Sequence, residues 1–90
     1  METPSELIQR ICSEVFNDHA VAKKTLMSVN GIIGAANGAN LRKGNEDLFT
    51  IMKRRFLGRQ DVAPVVSHKL FDEFLYKRAR EIEGRRETSI

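Results

Sequence analysis

Apolar residues recur at helical spacing along this 90-residue chain, and this pattern constrains the fold more than any other feature. Between residues 7 and 16 the apolar side chains follow one another in steps of one and three, which gives a broad apolar helix face. Thr3 and Glu6 have the spacing of a capping box, and Pro4 suits the first helical position. We therefore predict a first helix over 4–17.

A second helix is predicted over 19–39, because its apolar residues alternate in steps of four and three, which is typical of the seam of a packed helix. These residues are Ala22, Leu26, Val29, Ile33 and Ala36.

Three glycines lie in the far half of this second segment, Gly31, Gly34 and Gly38. A glycine inside a helix costs about 1 kcal/mol relative to alanine. Either the helix stops near Asn30, or it continues and the glycines permit close helix packing, within the chain or across a dimer. The apolar seam favours continuation.

Two more helices are predicted, over 46–57 and 67–84. Asn45 and Ser67 suit the N-caps, and Gly58 and Gly84 suit the ends. The sequence thus predicts an all-α fold, a compact four-helix domain over 1–84 with a polar tail over 85–90, able to dimerise.

Positive charge is concentrated in the middle of the chain. Residues 20–59 hold eight basic residues against two acidic ones, whereas residues 1–19 carry a net −3 and residues 60–90 are neutral. A one-sided basic surface is typical of proteins that bind an anionic partner, above all nucleic acid.

We therefore predict a small, non-enzymatic regulatory protein that binds DNA or RNA. No helix-turn-helix spacing fits, and the few aromatic residues have core spacing, so contact is expected with the phosphate backbone rather than with bases. The predicted nucleic-acid-binding residues are Lys23, Lys24, Arg42, Lys43, Lys53, Arg54, Arg55 and Arg59.

A protein-interaction module is the alternative, an adaptor or inhibitor that docks on an acidic partner. The same cations would then meet carboxylates, and an apolar anchor would form the buried centre of the interface. The candidate anchors are Phe49, Met52, Phe56 and Tyr76. If these residues were buried in the core, they could not anchor a partner, and this alternative would fail.

The last residues resemble a class I ligand for PDZ domains, with a hydroxyl at Thr88 and an apolar end at Ile90. The resemblance covers only four to six residues. It implies that the tail could add to the edge of a partner's sheet as a strand.

Other classes of function find little support. The glycines match neither a P-loop nor a dinucleotide fingerprint, and His19 and His68 have no partner at metal-ligand spacing. We predict no enzyme activity, no metal and no cofactor. The apolar runs are too short for a membrane span. The lone Cys12 and the absence of a signal peptide predict a core thiol in a reduced, intracellular protein, cytoplasmic or nuclear.

Overall fold

Helices account for all regular secondary structure in residues 2–88, the part of the chain that the computed structural model describes; of Lys43, Glu87 and Thr88 it describes the backbone only. The elements are α1 (Pro4–Val15), α2 (His19–Lys43), α3 (Leu48–Leu57), a 3-10 turn (Gln60–Val62), α4 (Ala63–Val66) and α5 (Phe71–Thr88). The all-α prediction is confirmed, although this range holds five α-helices rather than four.

Helix α1 begins as its sequence predicts. The Glu6 backbone N–H donates to Thr3 Oγ1 at 3.1 Å, and the Thr3 N–H donates to Glu6 Oε1 at 2.9 Å. Both bonds of the capping box are present, with Pro4 in the first turn. The helix ends at Val15, two residues before the predicted end.

Replacing Thr3 with alanine is expected to lower the free energy of unfolding by about 1 kcal/mol, because the Glu6 N–H loses its acceptor. Urea denaturation measures the change. Ser13 is a matched control, since its exposed hydroxyl donates to a carbonyl within α1. Ser13→Ala should change the free energy by less than about 0.5 kcal/mol. Equal losses in the two variants would contradict the capping role.

Helix α2 continues through all three glycines and ends four residues later than predicted. Asp18 caps its start, accepting from the Ala20 and Val21 N–H groups at 2.8 and 3.2 Å. Its end is set by Gly44, whose φ of 70° is a left-handed conformation that favours glycine. At 1.5 Å per residue the helix is about 37 Å long, nearly the longest dimension of the molecule, 42 Å.

The predicted last helix, 67–84, is wrong at both ends. Pro64 stands in the first turn of α4, where it is tolerated, and Ser67 ends α4 instead of capping α5. Residues 67–70 form a turn in which His68 Nδ1 accepts from the Leu70 N–H at 3.1 Å. Gly84 keeps a helical conformation, so α5 runs on to Thr88 and takes in part of the predicted tail.

The helices pack around one apolar core. Helix α2 contacts α1 and α3, and α5 contacts the same two helices. The fully buried large side chains come from every helix: Leu7, Ile11, Val29, Leu48, Met52, Phe56, Val62, Val65, Phe71, Phe74 and Leu75. Cys12 is also buried, as predicted, and burial raises the pKa of its thiol. Because one side of α2 packs against the core, its opposite side faces outward.

Candidate nucleic-acid interface

The outward side of α2 carries a second series of residues in steps of four and three: Met27, Gly31, Gly34, Gly38 and Leu41. Met27 and Leu41 are 68% and 64% exposed. We call the three glycines between them the glycine track. A Cβ added at any of them would meet no atom within 4 Å among the described residues. The glycines therefore serve no close helix contact within this part of the chain, and their role in a dimer remains a prediction.

Arginines from α3 and the following turn lie along one flank of the glycine track. Arg54, Arg55 and Arg59 line a cavity of about 260 Å³, together with Gly31 and Ala35 of α2. The predicted cations of α3 and the glycines of α2 thus meet at one surface.

Several predicted cations have carboxylate partners. Arg54 pairs with Glu46, and Arg59 pairs with Asp61 at 2.6 Å. These hydrogen bonds raise the pKa of both guanidinium groups. Exposed ion pairs of this kind contribute only about 0–1 kcal/mol, so an incoming phosphate can compete for either arginine.

Lys53 belongs to another surface. It lies two residues before Arg55 and therefore about 160° away around α3. Its ammonium pairs with Asp72 and lies 5.7 Å from the centre of the Phe71 ring. These contacts hold Lys53 against α5, so the structure does not join it to the arginines beside α2.

Four predicted cations have no carboxylate partner among the described residues: Lys23, Lys24, Arg42 and Arg55. Lys24 and Arg42 are eighteen residues apart, which is five helical turns, and so they lie on one line about 27 Å long. Lys23 lies about 100° from Lys24 around the helix, in line with Leu41, and lines a separate cavity with Cys12. The side chain of Lys43 is outside what the structure describes.

The other flank of the glycine track carries arginines that the sequence analysis did not select. Arg78, Arg85 and Arg86 of α5 line a cavity of about 350 Å³ with Gly34 and Asn37 of α2. Counting charge did not point to them, because residues 60–90 have no net charge. Their spacing of seven and eight residues, which places them on one side of a helix, was the available signal.

The predicted peptide motif at the end of the chain can be placed only in part. Thr88 is the last residue of α5, and its side chain is not described; Ile90 lies outside the described residues. Binding as a strand would require the last turn of α5 to unwind, since a strand at a sheet edge is extended.

Within residues 2–88 no group of three or more His, Cys, Asp or Glu side chains could hold a metal ion. His68 Nε2 lies 2.8 Å from Glu14 Oε1, and this hydrogen bond lowers the pKa of Glu14. The same range contains no helix long and apolar enough to cross a membrane.

Comparison with known proteins adds no relative to this picture. No protein-family model matches the chain, and neither the curated proteins nor the solved structures give a significant match.

Proposed function

We propose that the chain is a non-enzymatic regulatory protein that binds the phosphate backbone of a nucleic acid along α2. One observation carries this proposal: Lys24, Arg42 and Arg55, which pair with no carboxylate among the described residues, border an open glycine track. Glycines let a phosphate backbone approach the helix without meeting side chains. Unpaired cations then neutralise the phosphates and release their counterions, which drives binding.

The dimensions of this surface suit a duplex. The line from Lys24 to Arg42 is about 27 Å long, and a base pair rises about 3.4 Å, so the line spans about eight base pairs. Arg54 and Arg59 can exchange their carboxylates for phosphates at small cost. Four or five phosphate contacts are therefore within reach of one molecule.

The acidic-partner alternative loses most of its candidate anchors. Met52 and Phe56 are fully buried, and Phe49 is half-buried. Tyr76 is exposed, but it lies on α5, where its ring meets Phe49 and Arg80. Met27 and Leu41 are exposed apolar side chains that could contact a protein. A protein partner that packs on the glycine track is therefore the second candidate.

Fluorescence anisotropy with duplex DNA, duplex RNA and single strands tests the proposal. With about four phosphate contacts on a duplex, log K should fall with log salt at a slope of about −3.6, which is roughly a 150-fold loss of affinity between 50 and 200 mM salt. Binding that is absent even at low salt would refute the proposal. Pull-down with acidic helical peptides would then test the second candidate.

A matched pair of variants identifies the surface. Arg55→Glu is expected to weaken binding at least tenfold and to reduce the salt slope by about 1, because one phosphate contact is lost. Arg80→Glu makes the same change of net charge on α5, beside Tyr76, and should stay within twofold of the unmodified protein. Circular dichroism verifies that both variants keep their helices. Equal weakening by the two variants would point to net charge alone and contradict a specific surface.

A further inference from the structure

The guanidinium of Arg86 is held by neutral groups rather than by a carboxylate. Its Nη2 donates to the side-chain oxygen of Asn37 and to the Asn37 backbone carbonyl at 3.4 Å, and its Nη1 donates to the side-chain oxygen of Asn40. No carboxylate that the structure describes pairs with it, and its Nε–H has no acceptor there. Arg86 is half-buried, so its full positive charge is partly removed from water without neutralisation.

Asn40 fixes the position of this guanidinium. Its side chain is almost fully buried, with 6% of the residue exposed, and its Nδ2 donates to the Glu46 carbonyl at 2.7 Å. This bond determines which end of the amide is the oxygen, and it directs Oδ1 toward Arg86. Arg86 is thus positioned by a hydrogen-bonded chain that reaches the start of α3.

Three arginines line the cavity: Arg78, Arg85 and Arg86. Arg78 pairs with Glu81, and Arg85 lies 3.8 Å from the same carboxylate. The rest of the wall includes the apolar side chains of Ile33, Leu41 and Ile82.

We propose that this cavity binds a phosphate group carried on an apolar or planar body, the chemistry of a nucleoside monophosphate. Its volume of about 350 Å³ falls within the usual range for ligand sites, roughly 300–1,000 Å³. The phosphate accepts a charge-assisted hydrogen bond from the Arg86 Nε–H, which has no acceptor among the described residues. The base packs on the apolar wall. The phosphate can come from a free nucleotide or from the 5′ end of a strand. This site does not depend on the proposed function, because it uses none of the cations along the Lys24–Arg42 line.

The test compares adenosine monophosphate with adenosine by NMR titration, following the Asn37 amide and the Arg86 Nε–H. We expect the monophosphate to shift both signals and to bind at least tenfold more tightly than adenosine. A short oligonucleotide with and without a 5′ phosphate then distinguishes a strand end from a free nucleotide. Equal binding of adenosine and its monophosphate, or no shift at Arg86 at millimolar concentration, would overturn the proposal.

Asn37→Asp provides the decisive variant, because it places a carboxylate on Arg86 with almost no change of shape. It should weaken monophosphate binding at least tenfold, and Arg86→Gln should do the same. Asn17→Asp makes the same chemical change at an exposed position outside the cavity and should stay within twofold. If Asn37→Asp bound the monophosphate as tightly as the unmodified protein, the proposed site would be refuted. Arg55→Glu should leave monophosphate binding unaltered, so failure of this site and failure of the α2 surface are separable.

Discussion

Replacing Gly31, Gly34 and Gly38 together with alanine is expected to raise the free energy of unfolding by about 2–3 kcal/mol. Each glycine in a helix interior costs about 1 kcal/mol relative to alanine. The space outside each one is open, so a methyl group meets no neighbour among the described residues. In a domain of this size, the gain corresponds to a rise in Tm of roughly 10–20 °C, which thermal denaturation followed by circular dichroism measures.

Gly44 supplies the control of opposite sign. Its φ is 70°, a conformation that costs an L-residue roughly 1–2 kcal/mol, so Gly44→Ala is expected to destabilise the protein.

The more stable triple variant should also bind nucleic acid more weakly, because three methyl groups hold phosphates away from the helix. A triple variant that is less stable than the unmodified protein would show that the glycines serve a packing contact after all.

Phe71→Ala is expected to lower the free energy of unfolding by about 3–5 kcal/mol. Phe71 is fully buried; its ring forms a T-shaped pair with Phe56, with centres 5.0 Å apart, and a tilted pair with Phe74, with centres 6.0 Å apart. Its removal leaves a cavity at the junction of α3 and α5. Because small domains are stable by roughly 5–15 kcal/mol, the variant loses a large part of its stability. Urea denaturation measures the loss.

Tyr76, on the same helix, serves as the comparison. It is 56% exposed, so Tyr76→Ala should cost about 1 kcal/mol or less. Losses of similar size at Phe71 and Tyr76 would mean that the core is not centred on the phenylalanine cluster.

The sequence predicts a helix correctly where the residues that determine it are neighbours along the chain. The start of α1 depends on Thr3, Pro4 and Glu6, all within one turn. The continuity of α2 follows from the apolar seam on its inner side. The start of α5 depends instead on a turn around His68, which bonds to Glu14 fifty-four residues away. A pattern of neighbouring residues cannot reveal such a distant contact. Ser67 was therefore predicted to cap the last helix, although it ends α4.

The candidate surface was predictable in position but not in detail. The excess of basic residues in 20–59 identified Arg54, Arg55 and Arg59, which line one cavity beside α2. Which cations are paired depends on contacts between distant residues, such as Lys53 with Asp72. Charge counting also missed Arg86, because acidic residues elsewhere in 60–90 cancel its charge in the sum.

The glycine track also makes the longest helix dependent on the rest of the fold. Its three glycines cost the longest helix about 3 kcal/mol before any packing is counted, and nucleating a helix is itself unfavourable. Residues 19–43 on their own therefore lie mainly on the coil side of the helix–coil equilibrium. Helix α2 therefore depends on docking its inner seam onto α1 and α3, and we expect a peptide of residues 19–43 to be mainly unfolded by circular dichroism.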